Sequence, residues 1–216
     1  ERYRPLPADD PTIAAAREKY GITGPFIFNV GGLDVRKNLA ALLRAFALVR
    51  SQLPEGLQLV ISGAAHSGNA ERYPDLQPLA RELGIADATI FTGRISDEEK
   101  LALLNAAELY AYPSLYEGFG ISPLEAMRCG TPVISSDRSS LPEVIGEGGL
   151  QVEPTPEKLG AAIAFALQTP HELRELHRRG LAQAARFSWA RTAQETLAAY
   201  EEVLRIADCG LRKGRD

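Results

Sequence analysis

The residues best suited to chemistry lie between Pro113 and Ile134, in PSLYEGFGISPLEAMRCGTPVI. Glu117 and Glu125 stand there as E-x7-E around a Gly-Phe-Gly turn. Ser122-Pro123-Leu124-Glu125 has the form of a helix start: serine as N-cap, proline at the first helical position, glutamate closing a capping box. Capping is one reading of Glu125, and ligand binding is the other. Capping leaves the rest of the stretch unexplained. Gly118 and Gly120 strip side chains from the backbone just before a helix N-terminus, and bare N–H groups aligned with a helix dipole form an anion site. Glu117 precedes that turn and gains nothing from capping. A carboxylate beside a phosphate is costly unless it accepts hydrogen bonds from hydroxyls. A ligand that carries both phosphates and hydroxyls, such as a nucleotide sugar, satisfies both features.

A second stretch has the same character. Gly31-Gly32-Leu33-Asp34-Val35-Arg36-Lys37-Asn38 leads into a helical pattern and sets Arg36 and Lys37 at its start. Two cations at a helix N-terminus oppose the dipole. Either both point into solvent, or a bound diphosphate offsets the conflict. There is no D-x-D motif, so Lys37, with or without Arg36, and backbone amides would carry a leaving diphosphate without a metal.

The elements that must position these loops can be read from the hydrophobic pattern. Short β-branched or aromatic runs at Phe26–Val30, Leu57–Ser62, Thr89–Thr92, Leu109–Tyr112, Pro132–Ser135 and Gly149–Val152 read as strands. Helical patterns alternate with them at Asn38–Leu53, Leu76–Leu83, Asp97–Ala106 and Pro123–Arg128. Alternation of buried-type strands with amphipathic helices predicts an α/β fold with a doubly wound, mostly parallel, Rossmann-like sheet. Extra C-terminal helices follow at about Glu157–Gln168, His171–Arg186 and Ala190–Ala207. Residues 1–24 read as a proline-rich linker with one short helix, Thr12–Tyr20. Residues 25–207 read as the domain, and 208–216 as a tail whose charged end, Arg212–Asp216, frays. Ligands of open α/β sheets bind outside the carboxyl ends of the strands. The loops of interest are therefore Gly31–Lys37, Gly63–Asn69, Gly93–Ser96, Pro113–Ser122 and Ser136–Ser140. The G-x-G-x-x-G dinucleotide fingerprint and the P-loop are both missing.

Composition excludes several function classes. The chain has 216 residues, 45% hydrophobic, with a net charge of −4, which suits a globular domain and gives no basic surface for nucleic acid. No apolar run approaches the roughly 20 residues a membrane span needs. Cys129 and Cys209 form no framework and read as a reduced pair in a cytoplasmic protein. His66, His171 and His177 are scattered, so no metal site is expected.

Taken together, NVGGLDVRKNLAALLRAF, FTGRISDEEKLALLNAAELYAYPSLYEGFGISPLEAMRCGTPVISSD and LPEVIGEGGLQVEPTPEKLGAAI resemble the C-terminal, donor-binding half of a retaining glycosyltransferase of the GT-B fold, family 4 (glycosyl transferase group 1). The resemblance runs from about Pro25 to Leu204. It implies that Glu125 hydrogen-bonds the donor ribose and that Glu117 reaches hydroxyls of the donor sugar. It places the amides of Gly118, Phe119, Gly120 and Ile121 against sugar and diphosphate, and Lys37 on the diphosphate. Many members carry Gly-Arg where this chain has Gly31-Gly32; either Arg36 substitutes for that arginine or the site relies on Lys37. Arg94 and Ile95, in Gly93–Ser96, match the segment that lies against the nucleobase, while a plain strand-to-helix turn with Ser96 as N-cap is the other reading. On this resemblance Glu117 and Lys37 are the catalytic candidates.

The GGLDVRKN and DRSSLPEV forms look most like mannosyltransferases that use GDP-mannose. The resemblance thus implies transfer of a hexose from a nucleotide-diphosphate sugar as co-substrate, with no cofactor or metal, toward polysaccharide biosynthesis. The 24 residues before the first strand are too few for the acceptor-binding N-terminal domain, toward which the long C-terminal helix runs in the family. Any peripheral membrane contact would come through that missing half. The isolated chain is expected to bind without turnover. A nucleotide-sugar binding module without catalysis, and an epimerase or phosphorylase of similar architecture, are the alternatives.

Overall fold

Six strands pair into one parallel sheet in the order β3-β2-β1-β4-β5-β6. They are β1 (Phe26–Val30), β2 (Gln58–Ser62), β3 (Thr89–Gly93), β4 (Leu109–Tyr112), β5 (Val133–Ser136) and β6 (Leu150–Val152). The doubly wound parallel sheet expected from the sequence is the observed one. The computed structural model describes residues 2–64 and 69–213. His66, and with it part of the loop Gly63–Asn69, lies outside the described residues, as does the end of the tail at 214–216.

The chain divides into two compact units, 1–184 and 185–216. Among the described residues the first holds the sheet and eight α-helices: α1 (Pro11–Tyr20), α2 (Leu39–Val49), α3 (Gln77–Glu82), α4 (Asp97–Ala106), α5 (Ile121–Arg128), α6 (Leu141–Ile145), α7 (Pro156–Gln168) and α8 (Pro170–Ala184). The second holds α9 (Trp189–Lys213), which continues past the expected end at Ala207. Its turns are supported by pairs such as Arg191–Glu195 at 2.7 Å.

Both faces of the sheet are covered, so β1, β4 and β5 are buried along their whole length rather than alternating between buried and exposed residues. Alternate residues of β1 serve opposite layers. Ile27 joins Leu42, Phe46, Leu59, Leu109 and Leu159 on one side, where α2 packs against α7. Phe26 and Phe28 join Val60, Leu103, Tyr110 and Met127 on the other. Each of these side chains is buried.

The order of strands creates the place for a site. From β1 the chain winds outward through β2 to β3, then crosses back so that β4 pairs with β1, with Ile27 opposite Leu109. The direction of winding reverses between β1 and β4. At such a switch point the loops leaving two neighbouring strands diverge and open a crevice at the carboxyl edge. The loop after β2 approaches it closely: a Cβ at Gly63 would stand 2.1 Å from the Gly31 carbonyl oxygen. Only glycine fits there.

Candidate active site

The β1 loop does not enter α2 directly, and the expectation of two cations in the first turn of that helix is corrected. Val35–Lys37 forms a 3-10 turn capped by Asp34, and Asn38 then turns left-handed at φ 55° to become the N-cap of α2. Asn38 is held by Nδ2 donating to the carbonyls of Pro154 at 2.8 Å and Pro113 at 3.3 Å. The cations therefore precede the helix and go separate ways. The Arg36 guanidinium returns to Asp34, with Nε donating at 2.8 Å. Its hydrogen bond and charge hold the Asp34 carboxyl below the usual carboxylate range against the opposing effect of burial. Lys37 reaches across the crevice, its stem passing 3.8 Å from where a Gly31 Cβ would be.

Across the crevice is Glu117. The Lys37 Nζ donates to Glu117 Oε1 at 2.6 Å, and the two side chains are only 17% and 14% exposed. The Tyr112 hydroxyl, from the end of β4, joins both: it accepts from Lys37 Nζ at 2.9 Å and donates to Glu117 Oε1 at 2.8 Å. Tyr112 carried no role in the sequence reading. Its place as the last residue of a strand, at the edge where ligands bind, was the available signal.

The Gly-Phe-Gly turn is braced from the loop after β5. Ser139, itself at φ 57°, donates to the Glu117 carbonyl and accepts from the Glu117 N–H at 3.1 Å. The Ser140 hydroxyl contacts two carbonyl oxygens, Glu117 at 3.0 Å and Phe119 at 2.8 Å. These peptides are trans, so N–H and C=O of one unit point oppositely. With the carbonyls of Glu117 and Phe119 turned to the serines, the N–H groups of Gly118 and Gly120 face the other way. The two serines were legible only as members of a loop at the right edge.

The helix after this turn starts earlier than the sequence suggested. Gly120, at φ 111°, is the N-cap of α5. Ser122 is the second helical residue rather than the cap, and Glu125, the fifth, is beyond reach of a capping box. The capping reading of Glu125 is thereby corrected. Glycine takes the cap because its φ is closed to other residues and because a Cβ there would meet Leu141 Cδ2 at 2.8 Å. Ile121 and Phe119 are exposed beside the turn.

Glu125 instead pairs with Lys100 of α4, and the two side chains are 17% and 15% exposed. The Tyr3 hydroxyl is hydrogen-bonded to it, with Lys100 Nζ 5.3 Å over the Tyr3 ring. Burial raises the Glu125 carboxyl pKa, and Lys100 opposes that rise. A carboxylate has about four lone-pair sites, so two partners leave acceptor capacity for a diol. Arg94 is exposed, whereas Ile95 packs against the core. Ser96 caps α4 through a capping box with Glu99. Buried Cys129 has its thiol pushed up to about 12 by desolvation, which removes it from nucleophilic chemistry near neutral pH.

The sequence model of the family described as glycosyl transferases group 1 matches residues 13–185. The chain belongs to that family. The serotype-specific mannosyltransferase WbdA of Escherichia coli is 35% identical over 194 residues, 89% of this chain and 23% of WbdA. The MMP alpha-(1->4)-mannosyltransferase of Mycolicibacterium hassiacum is 38% identical over 190 residues, 85% of this chain and 44% of that protein. This glycosyl transferase group 1 chain thus spans less than half the length of these relatives. Sucrose-phosphate synthase of Thermosynechococcus elongatus superposes with TM-score 0.79 at 28% identity, over 95% of this chain and 50% of the synthase. HepE of Anabaena, solved with UDP-glucose, superposes with TM-score 0.78 at 21% identity, over 94% and 54%. The fold is the Rossmann-like half of a GT-B glycosyltransferase. Among the described residues no helix is long and apolar enough to cross a membrane.

Proposed function

We propose that the chain is the donor-binding half of a retaining glycosyltransferase that transfers a hexose from a nucleotide-diphosphate sugar. The observation that carries this reading is the meeting of Lys37 and Glu117 across the crevice between β1 and β4. Lys37 offers a cation to the diphosphate, and Glu117 offers an acceptor to sugar hydroxyls. The outward N–H groups of Gly118 and Gly120, at the start of the α5 dipole, complete the cradle for phosphate. Glu125 takes the ribose diol, with Lys100 opposing the rise that burial gives its carboxyl pKa. Arg94 and Ile95 lie toward the base.

In the reaction the bond between the anomeric carbon and the phosphate oxygen breaks, and an acceptor hydroxyl oxygen bonds to the same face of that carbon. The acceptor proton leaves with the departing diphosphate. Lys37 and the turn amides stabilise the charge that develops there, and preorganised donors of this kind give most in a site screened from water. Mannose is the preferred sugar because WbdA and the MMP enzyme are mannosyltransferases by name, and GDP-mannose is the proposed donor. The acceptor half would correspond to the part of these relatives' length that this chain does not span. A cytoplasmic location follows from a nucleotide-sugar donor.

Thermal unfolding with GDP-mannose, UDP-glucose, UDP-GlcNAc and the bare diphosphates tests this reading. A ligand at about 100 times its Kd adds roughly 2.7 kcal/mol of stability. GDP-mannose should give the largest shift, and the shift should shrink in Lys37→Ala. Failure of every nucleotide to stabilise the chain would refute donor binding, and a larger shift with UDP-glucose would replace the sugar and base while leaving the reaction class.

A further inference from the structure

We propose that Tyr112 is a positioning residue that ties Lys37 and Glu117 to the edge of the sheet and so fixes where the donor diphosphate is gripped. The proposal rests on the donor-binding reading above. Lys37 lies on a turn and has a long flexible stem, and Glu117 lies on a loop. Tyr112, by contrast, ends the central strand β4 and is 3% exposed. Its ring stacks on Tyr110 with centroids 5.9 Å apart and planes at 20°. Tyr110 is fixed in turn, its hydroxyl donating to the Val30 carbonyl at 3.1 Å and its ring meeting the edge of Phe28 at 6.2 Å. A continuous aromatic stack thus carries the rigidity of the sheet to one hydroxyl at the crevice.

The proton positions at that hydroxyl follow from valence. An ammonium can only donate and a carboxylate can only accept. The phenol must therefore accept from Lys37 and donate to Glu117, which the distances of 2.9 and 2.8 Å allow. Burial, then the Glu117 charge, holds the phenol far above its ordinary pKa, so it keeps its proton near neutral pH. When a diphosphate draws Lys37 away from Glu117, the phenol still holds the ammonium at the crevice mouth and still holds the carboxylate for sugar hydroxyls. Phenylalanine at this position would keep the stack and lose both tethers. The competing explanation is that Lys37 and Glu117 merely satisfy a buried hydroxyl, as buried tyrosines require.

A double-mutant cycle separates these. Isothermal titration of GDP and UDP is run on the 216-residue chain as wild type, Tyr112→Phe, Lys37→Met and the double variant, each checked for folding by thermal unfolding. Phe keeps the ring and its contacts, so Tyr112→Phe remains folded. If Tyr112 acts through Lys37, Tyr112→Phe weakens the better nucleotide about five- to tenfold in the wild-type background and less than about twofold in Lys37→Met, because coupled residues are non-additive. Equal losses in the two backgrounds, or no loss in the wild type, would overturn the proposal. If Lys37→Met itself binds both nucleotides as tightly as wild type, the diphosphate assignment has failed, and this inference with it.

Discussion

Lys37 and Glu117 are 80 positions apart in the chain and meet at 2.6 Å. One follows β1 and the other follows β4, so their contact is a consequence of those two strands being neighbours. In the free chain each neutralises the other. A donor would take the ammonium with its phosphates and the carboxylate with its hydroxyls, exchanging one set of charge-assisted bonds for another.

Lys37→Ala should weaken nucleoside-diphosphate binding by about 1.5–3 kcal/mol, the range for a hydrogen bond to a charged group. It also leaves the mostly buried Glu117 without its cation, so the free protein should lose about 1–3 kcal/mol in urea titration. Arg36→Ala should cost far less of either, because its guanidinium is half exposed and already held by Asp34. Calorimetry showing the larger loss for Arg36 would transfer the diphosphate role to it.

Glu125→Gln should leave the melting temperature nearly unchanged. Gln still offers an acceptor to Lys100, and it relieves the burial penalty that raises the Glu125 carboxyl pKa. Nucleotide affinity should nevertheless fall by about 1.5–3 kcal/mol, since the amide presents a donor to a ribose hydroxyl. A 2′,3′-dideoxy nucleotide should bind the wild type weakly and be indifferent to the substitution. Equal affinity of wild type and variant for the ordinary nucleotide would assign Glu125 to the ion pair with Lys100 alone.

Gly120→Ala should destabilise the chain by more than the ~1 kcal/mol of an ordinary glycine change. The φ of 111° excludes alanine, and the added methyl meets Leu141. The turn must shift, so phosphate affinity should fall together with urea stability. Ser140→Ala keeps the cap but removes the hydroxyl that contacts the carbonyls of Glu117 and Phe119. It should weaken phosphate binding by about tenfold or less with a smaller loss of stability.

Glu99 sets an acid limb. Its hydrogen bond from Lys19, then that from the Ser96 N–H, lowers its carboxyl from 4.5 to about 2. A depressed folded-state value means that the contribution is complete above the unfolded value and disappears as pH falls toward the folded one. Stability should therefore decline between about pH 4.5 and 2, and Glu99→Gln should flatten that part of the curve. An unchanged slope in the variant would assign the acid limb to other carboxylates.

Donor binding is expected to be independent of divalent metal, because in the proposed site Lys37 and the turn amides would supply the positive field for the diphosphate. Affinity for the preferred nucleotide sugar should agree within error with and without EDTA. A tenfold loss on chelation would require a metal in the donor complex.

Hydrophobic pattern and glycine placement alone define the sheet and the edge at which the candidate site lies. Runs such as Phe26–Val30 and Leu109–Tyr112 are largely apolar on both faces, as strands buried in a covered parallel sheet are, and glycine-rich loops at their carboxyl ends marked the side of the candidate site. The sequence also singled out Lys37, Glu117 and Glu125 by residue type. It did not pair them. Lys37 finds Glu117 and Tyr112, and Glu125 finds Lys100, through strand order and helix packing that bring distant segments within 3 Å, and no local spacing encodes those distances. The start of α5 shows the same division. Ser122-Pro123 carries a good local signal for a cap, yet Gly120 takes that place because Leu141 crowds the turn and because Ser140 draws its carbonyls to one side. Local propensity proposed the helix; contacts made only in the folded chain decided where it begins and which way its amides face.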